Sequence, residues 1–219
     1  MASENSQTHR DLAAMRQDYA QSSLDEHDVD PDPIRQLIRW IDQASEAEVP
    51  EPNAITLATC ENGRPSARMM LVKEVDEGGL VFFTNYESRK GKELSADPNA
   101  AVVFWWPQLQ RQVRVEGTVA RTSAEVSREY FNKRPADARL GAVVSPQSQV
   151  VTDRHELEKR LAELTRQYPD GNVPCPPHWG GYRLRPSMME FWQGRTGRLH
   201  DRIAYIRAGS GWKIQRLAP

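Results

Sequence analysis

Near the C-terminal end of the sequence, Arg198, His200 and Arg202 occupy alternate positions, separated by Leu199 and Asp201. Alternate side chains of an extended strand share one face, so this spacing predicts three cationic or titratable groups side by side. Such neighbours repel one another at low pH unless an anion or solvent intervenes. Trp192, Gln193 and Gly194 lie just upstream and add a flat ring, an amide and a flexible turn. An aromatic platform beside an anion-binding face suits a planar phosphorylated ligand, although a solvated surface strand can carry the same alternation.

A second basic cluster is Ser88-Arg89-Lys90-Gly91-Lys92. Ser88 reads as an N-cap, which puts Arg89 and Lys90 in a first helical turn where the macrodipole is already positive. A bound anion resolves that conflict, and a solvated basic turn is the equal alternative. Arg68 and Lys73 flank the apolar run Met69, Met70, Leu71 and Val72. Their odd separation aims them at opposite faces of a regular strand, so they serve one site only if the strand twists, bulges or is wrapped at its edge. Two snorkelling surface side chains are the plainer reading.

Other chemistries find little support. His9, His27, His155 and His178 form no metal-like spacing with His200, and Cys60 and Cys175 stand alone, so no metal site is expected. No GxGxxG or GxxxxGK[ST] phosphate loop occurs. The net charge of -1 gives no field for nucleic acid, and no apolar run approaches the roughly 20 residues of a membrane span. The N-terminal residues lack the basic-then-apolar order of a secretion signal, and a reduced, cytoplasmic protein is expected.

The elements that must position these groups follow from patterning. Residues 1–33 are polar and acidic and read as a mobile arm, with Leu12, Met15, Arg16 and Tyr19 able to share one helical face. The remaining residues, 34–219, read as one domain. A helix starts at Asp32-Pro33, with Ile34, Leu37, Ile38 and Ile41 as its apolar stripe. Strand-like runs follow at 54–60, 65–75, 80–84, 100–106 and 111–122, turning at Asn62-Gly63 and Gly78-Gly79, with a short helix over 88–96. Residues 123–168 read as helical with breaks at Pro135 and Pro146, and the last third returns to strands at 180–186, 189–193, 198–207 and 211–219. An antiparallel barrel or meander with flanking helices is the expected class. Phe104, Trp105 and Trp106 read as core or interface residues.

Several segments carry a family resemblance. Residues 191–202 (FWQGRTGRLHDR) and the terminal WKIQRLAP resemble pyridoxamine/pyridoxine 5′-phosphate oxidase. So do RMMLVK (68–73), FFTNYESRKG (82–91), RQVRVEG (111–117), YFNKRP (130–135) and SPQS (145–148), with MRQDY (15–19) matching an N-terminal arm. The resemblance implies a mainly β fold with flanking helices (α+β), an FMN-binding split β-barrel that forms a homodimer with FMN between subunits. It implies FMN contacts from Arg68, Met69, Met70, Leu71, Val72, Lys73, Phe83, Thr84, Arg89 and Lys90. Gln112, Gln147, Ser148, Trp192 and Arg202 complete that set, some from the partner chain. For the substrate it implies Lys73, Tyr130 and Arg134 at the phosphate, Arg198, Leu199 and His200 at the pyridine ring, and Arg16 and Tyr19 closing the site.

The implied reaction is hydride transfer from C4′ of pyridoxine or pyridoxamine 5′-phosphate to FMN, with O2 reoxidising the flavin to give H2O2. Arg198 and His200 are the catalytic positions, orienting the ring and stabilising developing charge, with neither assigned as a base. Two residues depart from the family pattern. Ala138 stands where a serine hydroxyl is common, and Val143 where tryptophan is common. The missing hydroxyl leaves a second reading open, a protein that carries FMN or pyridoxal phosphate without turnover; Arg139 beside it is a candidate replacement donor.

Overall fold

The computed structural model describes residues 18–219, so Arg16 and the remaining residues of the arm before Asp18 lie outside it. Helix α1 (Pro33–Glu46) begins where Asp32 accepts a hydrogen bond from the Ile34 amide at 2.8 Å. Its buried face is Ile34, Leu37, Trp40 and Ala44, and Ile38 turns outward instead of joining the stripe. Trp40 explains the shift: its ring packs edge-on against Phe191 with centroids 5.1 Å apart, which rotates the helix toward the larger side chain.

The sheet is antiparallel throughout. Strands β1 (Ala54–Glu61) and β2 (Arg64–Leu71) are joined at Asn62 and Gly63, both with positive φ, as a tight hairpin turn requires. Short β3 (Glu74–Asp76) pairs with β4 (Gly79–Asn85), and helix α2 (Arg89–Ala96) leads to β5 (Asn99–Trp106) and β6 (Arg111–Arg121). Helices α3 (Ala124–Lys133), α4 (Ala136–Val144) and α5 (Arg154–Gln167) precede β7 (Trp179–Gln193), β8 (Asp201–Ala208) and β9 (Gly211–Arg216).

Strand β7 organises the molecule. One flank pairs with β6 along nearly its whole length, while the other pairs with β4 at its start and β8 at its end. The sheet therefore forks, with order β2-β1-β5-β6-β7-β4-β3 on one path and β8-β9 on the branch. Pro186 sits mid-strand at a register shift opposite Gly117, where a Cβ would lie 2.0 Å from the Arg185 carbonyl oxygen. A bulge accommodates the proline's missing donor, so two expected strands are one.

The core lies between the curled sheet and α1, with Leu57, Val102, Phe104, Val113, Phe191 and Tyr205 fully buried. A smaller cluster around Phe131, Leu140 and Trp179 sits under α3 and α4. Residues 22–33 lack apolar periodicity yet dock on the domain: Leu24 and Val29 are buried, and the Tyr205 hydroxyl donates to the Asp30 carbonyl at 2.7 Å. Among the described residues no helix is long and apolar enough to cross a membrane, and no His, Cys, Asp or Glu cluster could hold a metal.

Candidate active site

At the start of β7 a cavity of about 680 Å³ opens between β4, the end of β2 and the α3–α4 corner. Phe83, Tyr130 and Trp179 form its aromatic wall, Phe83 lying nearly parallel to the other two at centroid distances of 4.0 and 5.5 Å. Gly181 permits this approach, since a Cβ there would come within 2.9 Å of the Phe83 ring. Among the described residues Lys73, Lys133 and Arg134 line the cavity, and no Asp or Glu does. The Arg134 guanidinium carbon stands 4.9 Å from the Trp179 ring centroid, and among the described residues its buried Nη1 has no hydrogen-bond partner. Burial pushes the Arg134 pKa down, so an anion here would satisfy both a donor and a charge.

The head of α2 adjoins this cavity through Thr84 and Gln147. Ser88 caps the helix, as its position predicts. Lys90 is buried, and its Nζ donates to Thr84 Oγ1 at 3.1 Å, Gln147 Oε1 at 3.2 Å and Ser88 Oγ at 3.3 Å. Among the described residues no carboxylate pairs with it, and burial, reinforced by the Arg68 charge, lowers its pKa to about 8. Arg89 differs, because its Nε donates to Glu93 Oε1 at 2.8 Å, one turn along. Arg68 binds the other oxygen of Glu93 at 2.8 Å, beside Thr59 and Ser66. The conflict at the helix start is thus answered internally for Arg89 and left open at Lys90.

The 68–73 run divides between environments. Met70, Leu71 and Lys73 reach the cavity, Val72 is buried in the core, and Met69 is 65% exposed on the opposite face. Strand β2 ends at Leu71, after which the Lys73 amide donates to the Val81 carbonyl at 2.8 Å. The chain thus passes from β1 to β4 between Arg68 and Lys73, so the parity expected of one regular strand does not apply.

The second cluster lies at the far end of β7. Gln112 pairs with Trp192 and Trp192 with Arg202, placing all three in one row across β6, β7 and β8. Trp105 extends the row opposite Gln112, is 46% exposed, and lies 6.1 Å from Trp192, whereas Phe104 and Trp106 are core. Buried Glu190 receives Arg202 through Nε at 2.8 Å and Nη2 at 3.1 Å, and Arg114 at 3.1 Å.

The shared strand face expected for Arg198, His200 and Arg202 is not formed. Strand β8 starts only at Asp201, and Thr196–Arg198 is a 3-10 turn in which Gly197 and Arg198 both have positive φ. Arg198 and Leu199 project into solvent from this turn, while His200 folds back over Trp192 with centroids 4.6 Å apart. Local turn geometry has overridden the alternation. His200 Nδ1 accepts from the Arg195 amide at 3.1 Å, and burial, with the Arg198 charge added, lowers its pKa. The ring is therefore neutral at pH 7 and presents Nε2–H as a donor. Tyr19 packs edge-on against Trp192 at 5.8 Å and lies 5.9 Å from His200; a Cβ on Gly194 would press on its ring at 2.8 Å.

Ser148 lies in the exposed loop after α4 with φ 70. Ala138 lines the cavity together with Gly141, Ala142 and Ser145, one face of α4. Arg139 is off that face and its Nη1 reaches back to the Asn132 carbonyl at 3.4 Å. Sequence reasoning passed over Trp179, Lys133, Glu93 and Glu190. The Arg89/Glu93 spacing of four was a usable signal for one of them.

The family profile described as pyridoxamine 5′-phosphate oxidase matches residues 41–168, and that of a pyridoxine 5′-phosphate oxidase C-terminal dimerisation region matches residues 179–219. The chain is 54% identical to the pyridoxine/pyridoxamine 5′-phosphate oxidase of Cyanothece sp. over 95% of its own length and 98% of that protein. It is 56% identical to the Paraburkholderia phymatum protein of the same name, covering 95% and 99%. Among solved structures, PhzG from Burkholderia lata 383, in complex with tetrahydrophenazine-1-carboxylic acid, superposes with TM-score 0.87 at 33% identity, covering 91% of this chain and 99% of that one. An FMN-binding protein from Nostoc punctiforme shares the fold, with TM-score 0.69 at 20% identity. The chain belongs to the pyridoxamine 5′-phosphate oxidase family.

Proposed function

We propose that this protein is an FMN-dependent oxidase that converts pyridoxine 5′-phosphate and pyridoxamine 5′-phosphate to pyridoxal 5′-phosphate. The observation that carries the reading is the carboxylate-free cavity in which Arg134 Nη1 is buried without a partner beside a stacked aromatic wall. Family membership and relatives of the same name at 54% and 56% identity support the same substrates. The working unit is a homodimer, as the match to a dimerisation region supports, with FMN at the subunit interface in a cytoplasmic enzyme.

The residues present fit FMN. Lys90 offers a buried ammonium with hydroxyl and amide partners and no carboxylate, which suits a phosphate, and Arg68 and Arg89 stand beside it on Glu93. Met69, Met70, Leu71, Val72, Phe83 and Thr84 then border the cofactor from one subunit, with Gln147 and Ser148; Gln112, Trp192 and Arg202 border it from the other. When bound, FMN would supply the two-electron acceptor for hydride leaving the substrate's C4′ and would pass those electrons with two protons to O2 as H2O2; with pyridoxamine 5′-phosphate the C4′ imine so formed would take up water and release ammonia. Lys73, Tyr130 and Arg134 hold the substrate phosphate. Burial raises the Tyr130 pKa, so its hydroxyl stays protonated and can donate. Arg198, Leu199 and His200 cover the pyridine ring, where His200 Nε2–H donates and Arg198 stabilises negative charge. Tyr19, packed against Trp192, closes the site, and Arg16, which lies outside the described residues, is the second arm residue assigned to this role. The chain's contribution is positioning, water exclusion and charge.

A second reading, carriage of FMN or pyridoxal phosphate without turnover, is favoured by Ala138, which faces the cavity with no donor. Oxygen uptake after adding pyridoxine 5′-phosphate to the FMN-loaded protein decides between them. Uptake with stoichiometric pyridoxal 5′-phosphate and H2O2 supports the oxidase, binding without uptake supports the carrier, and failure to take up FMN sinks the oxidase and the carriage of FMN.

A further inference from the structure

We propose that Lys133 is a phosphate-binding residue of this cavity and supplies the contact that Ala138 lacks. The inference rests on the phosphorylated-substrate reading above. The face that α4 turns to the cavity, Ala138, Gly141, Ala142 and Ser145, carries one hydroxyl, and that hydroxyl is seven residues from Ala138. At about 1.5 Å per residue, Ser145 lies roughly 10 Å further along the helix, too far to replace a donor at its first turn. Arg139 does not fill the gap, because it is about 100° round the helix and is turned toward the Asn132 carbonyl.

Lys133 lines the same cavity from the opposite side of the α3–α4 corner. It is the last residue of α3, directly before Arg134, whose buried Nη1 lacks a partner among the described residues. A phosphate monoester near neutral pH carries about −1.5 to −2 charges and three acceptor oxygens. Lys73 and Arg134 bring two cations, and one donor position remains where the serine hydroxyl would be. Among the described residues Lys133 has no carboxylate within ion-pair distance, whereas Arg128 on the same helix pairs with Glu125. Its compact ammonium on a long stem can reach an oxygen that a shorter side chain would have to meet from α4. A lysine at a helix end also complements the dipole, and that role alone predicts an effect on stability with none on phosphate binding.

Calorimetric titration of the FMN-loaded dimer with pyridoxal 5′-phosphate at low ionic strength separates the two roles. Lys133→Gln should weaken binding by roughly tenfold, the size of one charge-assisted contact. Binding of unphosphorylated pyridoxal should be unchanged. Ala138→Ser added to Lys133→Gln should recover most of the loss, because the hydroxyl and the ammonium serve one phosphate. Unaltered affinity in Lys133→Gln, or equal weakening for pyridoxal, overturns the assignment alone. Wild type that binds no pyridoxal 5′-phosphate overturns the substrate reading and this assignment with it.

Discussion

Trp179 and Trp192 stand near opposite ends of one strand, β7, and each packs within a different one of the two candidate clusters. Trp179 backs the cavity with Arg134 and Tyr130, while Trp192 carries His200 and neighbours Arg202. Thirteen residues of strand, at about 3.3 Å each, bound their separation along the chain at roughly 43 Å, and the two clusters are remote from each other within one subunit. A two-fold dimer, in which each copy presents the same surface, can set the first cluster of one copy against the second cluster of the other.

This separation predicts complementation between defective subunits. Arg134→Ala and Arg198→Ala homodimers should each have little activity. In a mixed dimer one site inherits both lesions and the other neither, so random subunit exchange should restore about one quarter of wild-type sites, by the statistics of closed dimers. Activity of the mixture measured after exchange checks this. No recovery, in mixtures shown to contain mixed dimers, would place both arginines in one subunit's site.

Arg198 and Arg202 should respond differently to removal. Arg198 is exposed on a turn, so Arg198→Ala should lower turnover by on the order of a hundredfold through lost substrate orientation while FMN stays bound. Arg202 holds buried Glu190 by two hydrogen bonds, and Arg202→Ala should cost stability on the order of 3 kcal/mol and release flavin. Flavin absorbance after gel filtration, with melting curves for both variants, distinguishes them; equal flavin loss would mean that Arg198 is misassigned.

Legibility in the sequence followed the range of the interactions involved. The Asp32 cap, the Asn62-Gly63 turn and the Ser88 cap are local, and each stands where its residue types place it. The basic first turn of α2 is local as well, and within it Arg89 is neutralised by Glu93 while Lys90 meets only hydroxyl and amide oxygens among the described residues. The sequence pattern divides β7 into 180–186 and 189–193, and only its distant partner Gly117 shows how a bulge at Pro186 joins them. The 196–200 turn misled because left-handed backbone at Arg198 is rare for a side-chain-bearing residue and leaves no mark on an alternating pattern. Glu190 was invisible because its meaning lies in Arg114 and Arg202, which reach it from neighbouring strands.

If Lys90 holds the FMN phosphate as proposed, flavin affinity should depend on pH. Burial lowers its pKa to about 8, so its ammonium is charged below that pH and neutral above it. A lowered lysine pKa means the charged form is disfavoured until an anion arrives, and anion binding then draws in a proton. FMN affinity should therefore fall as pH rises through about 8, by up to roughly tenfold per unit for one linked proton. Lys90→Gln should bind more weakly at pH 7 and show no break near 8. Quenching of free FMN fluorescence between pH 7 and 9.5 measures both, and parallel curves for the two proteins would exclude Lys90 as the linked group.

Glu93 should govern stability in acid. Burial alone would raise its pKa, but hydrogen bonds from Thr59, Ser66, Arg89 and Arg68 outweigh this and hold it at about 2. A carboxyl whose folded pKa lies below its unfolded value stabilises the fold above the unfolded pKa, and that contribution disappears as pH falls from about 4.5 to about 2. The difference corresponds to a contribution on the order of 3 kcal/mol. Glu93→Gln should lower stability at pH 7, because Arg68 and Arg89 lose their shared counter-charge, and should flatten the decline between pH 4.5 and 2.5. Urea midpoints for both proteins across that range supply the measurement. Equal acid slopes would show that carboxylates elsewhere control the transition, and would remove Glu93 as the clamp holding Arg68 and Arg89 beside Lys90.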